Sequence, residues 1–151
     1  AIVGECLERI VDEVPDDVRI GLHVCYGDYS RIYPEILSFP VEEFDLELAN
    51  GDFEQVDVFT DPEFTKDLAL GVVDVHTADV ETVAEIKANI KEGFKIVPPE
   101  RLTVSPDCGV KLLPREVAYQ KIKNMVQATR EIEAELDSGE LDPEALRTDA
   151  A

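Results

Sequence analysis

Four short apolar runs, each followed by a segment that can form a helix, set the narrowest limit on what this chain can fold into. Residues 18–26 (VRIGLHVCY) and 70–76 (LGVVDVH) are continuous apolar stretches, 43–49 (EFDLELA) alternates, and 101–105 (RLTVS) closes at a Pro-Asp-Cys-Gly turn; all four read as strands. A helix over 2–14 precedes them. The pattern predicts a short helix over 29–37, broken by Pro40, and a helical piece over 53–68, interrupted at Asp61-Pro62. It also predicts an amphipathic helix over 80–92 that stops at Gly93, and a long helix over 114–136 with Pro114 in its first turn. Strands separated by helices are parallel and covered by those helices, so the fold class is α/β. A doubly wound sheet and part of a (β/α)8 TIM barrel both satisfy the pattern. Four strand–helix units are half of the barrel's eight, and 151 residues fall well short of the roughly 250 usual for a whole one.

The charge balance excludes several partners. There are 34 acidic residues against 14 basic ones, a formal charge of −20. Nucleic acid and anionic membrane surfaces both require cationic patches, so neither is expected as a partner. A halophilic source accounts for such an acidic surface through screening at high salt; an acidic partner-binding surface is the alternative. No apolar run is long enough for a membrane span and no secretory signal opens the chain. Three cysteines lack the spacing of a disulfide framework, which points to a reducing, cytoplasmic setting. The first residue is Ala, and a longer parent chain is expected. The acidic tail, 137–151, is weakly patterned and is expected to be disordered.

Metal-capable residues gather at one end of these strands. His23 and Cys25 stand two apart on the first strand, so both face one side, with Cα atoms roughly 6.5 Å apart. A buried histidine packed beside a buried cysteine is one reading, and a pair of ligands for one ion is the other. Glu47 ends the second strand, His76 the third, and Cys108 follows the fourth. Parallel sheets and barrels build their sites at the C-terminal ends of strands, and structural residues have no reason to collect there. Thiolate and imidazole ligands select zinc among common divalent ions. Cys6, inside the first helix with no polar companion, reads as a small core residue.

The blocks HVCYGDY, FDLELAN, GVVDVHTADVE and SPDCGVK, in this order and spacing, closely resemble the C-terminal part of cobalamin-independent methionine synthase in its short archaeal form. The resemblance covers residues 1–136 and implies the C-terminal half of a (β/α)8 barrel. It implies zinc held by His23, Cys25, Glu47 and Cys108, and His76 as the proton donor. The implied reaction moves a methyl group from a methyl-tetrahydropterin or folate donor to the thiol of homocysteine, giving methionine. A free thiol is mostly protonated at neutral pH, and coordination to zinc deprotonates it. Glu47, the weakest of the four donors, is the one the substrate sulfur is expected to displace. A folate nitrogen must be protonated to leave, and His76 is the suitable acid. Asp74, two residues before His76, either orients it or serves the local structure, and Asp107 beside Cys108 is a further second-layer candidate. A corrinoid donor and a catalytically incomplete zinc-binding partner domain are the alternatives. Half of the barrel lies outside this sequence, so the missing N-terminal half or another chain is an expected partner.

Overall fold

The computed structural model describes residues 2–148 and contains one parallel sheet whose strands lie side by side in chain order. They are β1 (Gly21–Val24), β2 (Glu43–Leu46), β3 (Asp67–Gly71) and β4 (Leu102–Ser105). The α-helices are α1 (Ile2–Val11), α2 (Val83–Gly93), α3 (Arg115–Ser138) and α4 (Pro143–Thr148). None of the helices is long and apolar enough to cross a membrane among the described residues. The α/β class and the parallel pairing agree with the strand–helix rhythm of the sequence.

Register decides which residues share a face. His23 pairs with Asp45, Asp45 with Ala69, and Ala69 with Thr103, so these four form one row. Leu22, Phe44, Leu68 and Leu102 form the next row, pointing the other way. On that outer face Phe44, Leu46, Leu68 and Leu70 are fully buried and pack with Ile86, Ile90 and Phe94 and with aromatic residues of the crossovers. Phe64 meets Phe44 and Phe59 edge to face, with ring centroids 6.1 and 5.8 Å apart. Helix α2 approaches the sheet so closely that a Cβ on Gly93 would stand 2.7 Å from Leu70 Cδ2.

Local chemistry starts and joins the helices. The Thr82 hydroxyl accepts from Glu85 N at 3.2 Å while Glu85 Oε2 accepts from Thr82 N at 2.7 Å, a capping box that opens α2. Those bonds hold the Glu85 carboxyl below its ordinary range. Lys87 of α2 bonds Glu131 at 3.1 Å and also Glu135, linking α2 to α3.

Several expectations are corrected. The segments 29–37 and 53–68 form 3-10 turns instead of helices, at Tyr29–Arg31, Glu35–Ser38 and Val56–Phe59. Prolines at 34, 40 and 62 lack the N–H that a continuing helix needs. The third strand is Asp67–Gly71, earlier than 70–76, because residues 72–76 form a loop whose buried valines, Val72, Val73 and Val75, mimic a strand. Cys6 is exposed, since α1 buries no residue at all. The segment expected as a disordered tail carries the end of α3 and the short helix α4. Gly139, with φ of 76°, ends α3 in the left-handed conformation, and α4 follows, with Leu141 and Leu146 against the core. The last three residues of that expected tail, 149–151, lie outside the described residues.

Candidate functional site

Side chains from the two edges of the sheet meet at its C-terminal end, one on β1 and one in the loop after β4. Three strand spacings separate β1 from β4, roughly 14 Å at 4.8 Å each, yet His23 Nε2 stands 3.1 Å from Cys108 Sγ. The sheet therefore curls toward its inner face, and the loop after β4 reaches across. Small residues on β3 make the crossing possible. Ala69 and Gly71 sit on the inner face between larger neighbours, and over them Ser105 of β4 bonds Asp45 of β2 at 2.8 Å. A Cβ on Gly71 would lie 2.2 Å from Asp107 Oδ1 and 3.0 Å from the Leu46 carbonyl. Only glycine leaves that floor open.

His23, Cys25 and Cys108 each offer one donor atom, and the three atoms lie within 4.8 Å of one another. Asp45 fixes the histidine. Its Oδ2 lies 2.8 Å from His23 Nδ1, and an ionised carboxylate only accepts, so Nδ1 carries the proton and Nε2 presents its lone pair toward the thiols. The Ser105 hydroxyl donates to the other Asp45 oxygen and holds that carboxylate in turn. Burial pushes the Cys108 thiol up to about 11, and hydrogen bonding and charge from Cys25 and charge from Glu47 push the same way. A bound cation would oppose these effects by favouring the thiolate. The donor set fits a soft-to-borderline metal ion such as zinc.

Glu47, His76 and Asp107 form a second group within the same 4.8 Å limit. Glu47, expected beside the thiols, thus stands with His76 and Asp107, though close enough to raise the Cys108 pKa. It is nearly buried and accepts from Tyr26 N at 3.2 Å. Tyr29 braces both strand ends: its hydroxyl donates to the carbonyls of Val24 at 3.0 Å and Glu47 at 3.1 Å. Asp107 is fully buried and accepts from the amides of Leu48, Ala49 and Asn50, so it shapes the loop that follows Glu47. Burial raises its pKa to about 6, against the lowering effect of those amides.

His76 is held from both sides. Asp74 Oδ1 accepts from its backbone N and its ring Nδ1, each at 2.8 Å. Nε2 bonds the Tyr26 hydroxyl, with the rings 5.2 Å apart and edge to face. Tyr26 reaches it because its φ of 56° turns the chain sharply after Cys25. Sequence reasoning missed Asp45, Tyr26 and Ser105. An aspartate on the same strand face as the candidate ligands was the available signal for Asp45; Tyr26 and Ser105 offered none.

Residues 7–131 match the family model described as the catalytic domain of cobalamin-independent synthase. A methionine synthase of Pyrococcus furiosus is 45% identical over 120 residues, covering 80% of this chain and 35% of that protein. One from Pyrococcus abyssi is 43% identical over 133 residues, covering 88% and 38%. The chain therefore spans little more than a third of the length of these curated relatives. The solved structure of a B12-independent methionine synthase from Shewanella, in complex with selenomethionine, superposes with a TM-score of 0.75 at 21% identity, over 89% of this chain and 43% of that one. That likeness identifies the sheet as part of a TIM barrel, and the sequence match over 125 of 151 residues carries the further conclusion that the chain belongs to the family of the cobalamin-independent synthase catalytic domain.

Proposed function

We propose that this chain is the metal-bearing half of a methyltransferase that moves a methyl group from a methyl-tetrahydropterin or folate donor to the thiol of homocysteine, forming methionine. The convergence of the His23 imidazole with two thiols, its tautomer set by Asp45, is the observation that carries the reading. His23, Cys25 and Cys108 would hold zinc, with Glu47 the fourth ligand. Bound zinc supplies a thiolate nucleophile at neutral pH. Asp45 keeps Nδ1 of His23 protonated and its Nε2 free to ligate. Tyr29 holds the Glu47 carbonyl and Asp107 the amides that follow it, which fixes the backbone that carries the Glu47 carboxylate. His76, braced by Asp74, delivers a proton from Nε2 to the departing donor nitrogen. Tyr26 touches that atom and must turn aside or pass the proton on.

The remaining barrel half, on the same chain or another, is the partner this reading requires. Helix α1 leaves Ile2, Val3 and Ile10 more than half exposed, and α3 does the same with Tyr119. Among the described residues β1 and β4 are the edges of the sheet, each with one paired neighbour, so both can pair further. The chain by itself supplies the metal and the acid and leaves substrate recognition to the other half.

The test uses the chain together with its complementing half. Zinc close to one per chain is expected, lost in a Cys25→Ser/Cys108→Ser double variant, since a hydroxyl is a poor zinc ligand. His76→Asn should keep the zinc and slow methyl transfer to homocysteine by about 10²- to 10⁴-fold. Stoichiometric zinc in the double variant would sink the ligand assignment, and a full rate in His76→Asn the acid role.

A further inference from the structure

A buried lysine lies beneath the loop that carries His76. Lys121 of α3 has a side-chain exposure of 0%, and among the described residues it is the one buried cation. Its ammonium has three protons and three acceptors: the Asp74 carbonyl at 2.9 Å, Glu81 Oε2 at 2.9 Å, and the Asp79 carbonyl. All three acceptors belong to residues 74–81, the irregular segment between β3 and α2. Glu81 also works in the opposite direction, its Oε1 accepting from the Asp74 amide at 3.0 Å. One ion pair thus grips both backbone polar groups of Asp74. The Asp74 carboxylate is then aimed at His76, where it takes the backbone and ring protons described above.

The geometry points to Lys121 and Glu81 as positioning residues that fix Asp74, and through it the tautomer and orientation of His76. The inference rests on His76 being the proton donor. A lysine serving only to pack α3 against the loop is poorly explained, because an apolar side chain would fill that space without desolvating a charge. The three fixed acceptors instead leave the loop a single arrangement. Asn124 adds to it by donating to the Glu81 carbonyl at 2.7 Å, and Asn89 by donating to the Val72 carbonyl at 3.0 Å. A His76 whose Nδ1 keeps its proton on Asp74 has Nε2 as its exchanging atom, as a donor to substrate requires.

Two histidines in the chain make the imidazole ¹⁵N spectrum a direct readout. In the ¹⁵N-labelled chain, Lys121→Met should change His76 from one Nδ1–H tautomer to an averaged mixture. Amide exchange at Asp74 and His76 should accelerate at least about tenfold, as local opening becomes easier. The His23 ring signals and zinc uptake should stay as they are. Lys87→Met, which breaks the link of α3 to α2 and leaves its link to the loop, should lower the Tm without touching His76. Where Lys121→Met does not fold, Glu81→Gln decides, since it keeps the side-chain shape and leaves the ammonium without its counter-charge; the same spectral change is expected in milder form. Unchanged His76 signals and exchange in whichever of the two is folded would overturn the inference. The readout needs no turnover, so it fails or succeeds independently of the rate measured for His76→Asn.

Discussion

On the outer face of the sheet Phe44, Leu46, Leu68 and Leu70 have no contact with water, whereas on the inner face His23 and Asp45 keep about a third of their side-chain surface exposed. The same four strands carry both rows, and alternation alone separates them. The outer row is held by apolar area and ring packing and would tolerate little loss of volume. The inner row is held by directed bonds, Ser105 to Asp45 to His23, and by the space that Ala69 and Gly71 leave. Folding and chemistry are therefore assigned to opposite sides of one sheet and should respond separately to substitution.

The largest effect is expected on the outer face. Phe44→Ala should cost about 3–5 kcal/mol of stability by denaturant unfolding, because the ring fills space against Phe39 and Phe64. At temperatures where that variant remains folded, its zinc affinity should match the parent. Asp45→Asn probes the inner face with a smaller effect. It removes the charged acceptor that orients His23, so zinc affinity should fall about 10- to 100-fold in a competition titration. The metal-free protein should meanwhile unfold within about 0.5 kcal/mol of the parent. A loss of stability comparable to that of Phe44→Ala would break the division between faces.

The smallest effect concerns the helix layer over the outer face. The Lys87 bond holds the Glu135 carboxyl below its ordinary range, and Gln127 followed by Lys87 does the same for Glu131. A carboxyl depressed in the folded state stabilises at pH values above its unfolded pKa, and that stability is lost as pH falls through the folded value. The parent should therefore lose Tm more steeply than Lys87→Met between about pH 5 and about pH 3, and the two curves should converge in acid. Parallel curves would show that the network contributes nothing to the layer.

The parts of this division that repeat along the chain were legible in the sequence. Strand–helix alternation gave the parallel class, and ligand-type residues at strand ends put His23, Cys25, Glu47, His76 and Cys108 at one end of the sheet, where the structure gathers His23 with the two thiols and sets Glu47 with His76 and Asp107. The contributions that depend on a fold-specific distance were not. Tyr26 reaches His76 only through a left-handed backbone turn, and Lys121 meets Asp74 only because α3 passes beneath that loop. Continuous apolar runs hid the boundary of β3, since Val72 and Val73 are as buried in the loop as Leu70 is in the strand. Prolines were visible at 34, 40 and 62, but their power to reduce whole crossovers to 3-10 turns was underestimated.

The contact of His23 with Cys108 joins positions 85 residues apart in the chain. An ion shared by them closes a loop of that length, as a covalent staple would, and withdraws configurations from the unfolded ensemble that no nearby bond could remove. Metal supply then becomes a term in the folding equilibrium: at a free concentration about a thousand times the Kd, binding adds about 4.1 kcal/mol to the stability of the folded form. Under the proposed metal site, a shortage of the ion would cost folded protein as well as methyl transfer.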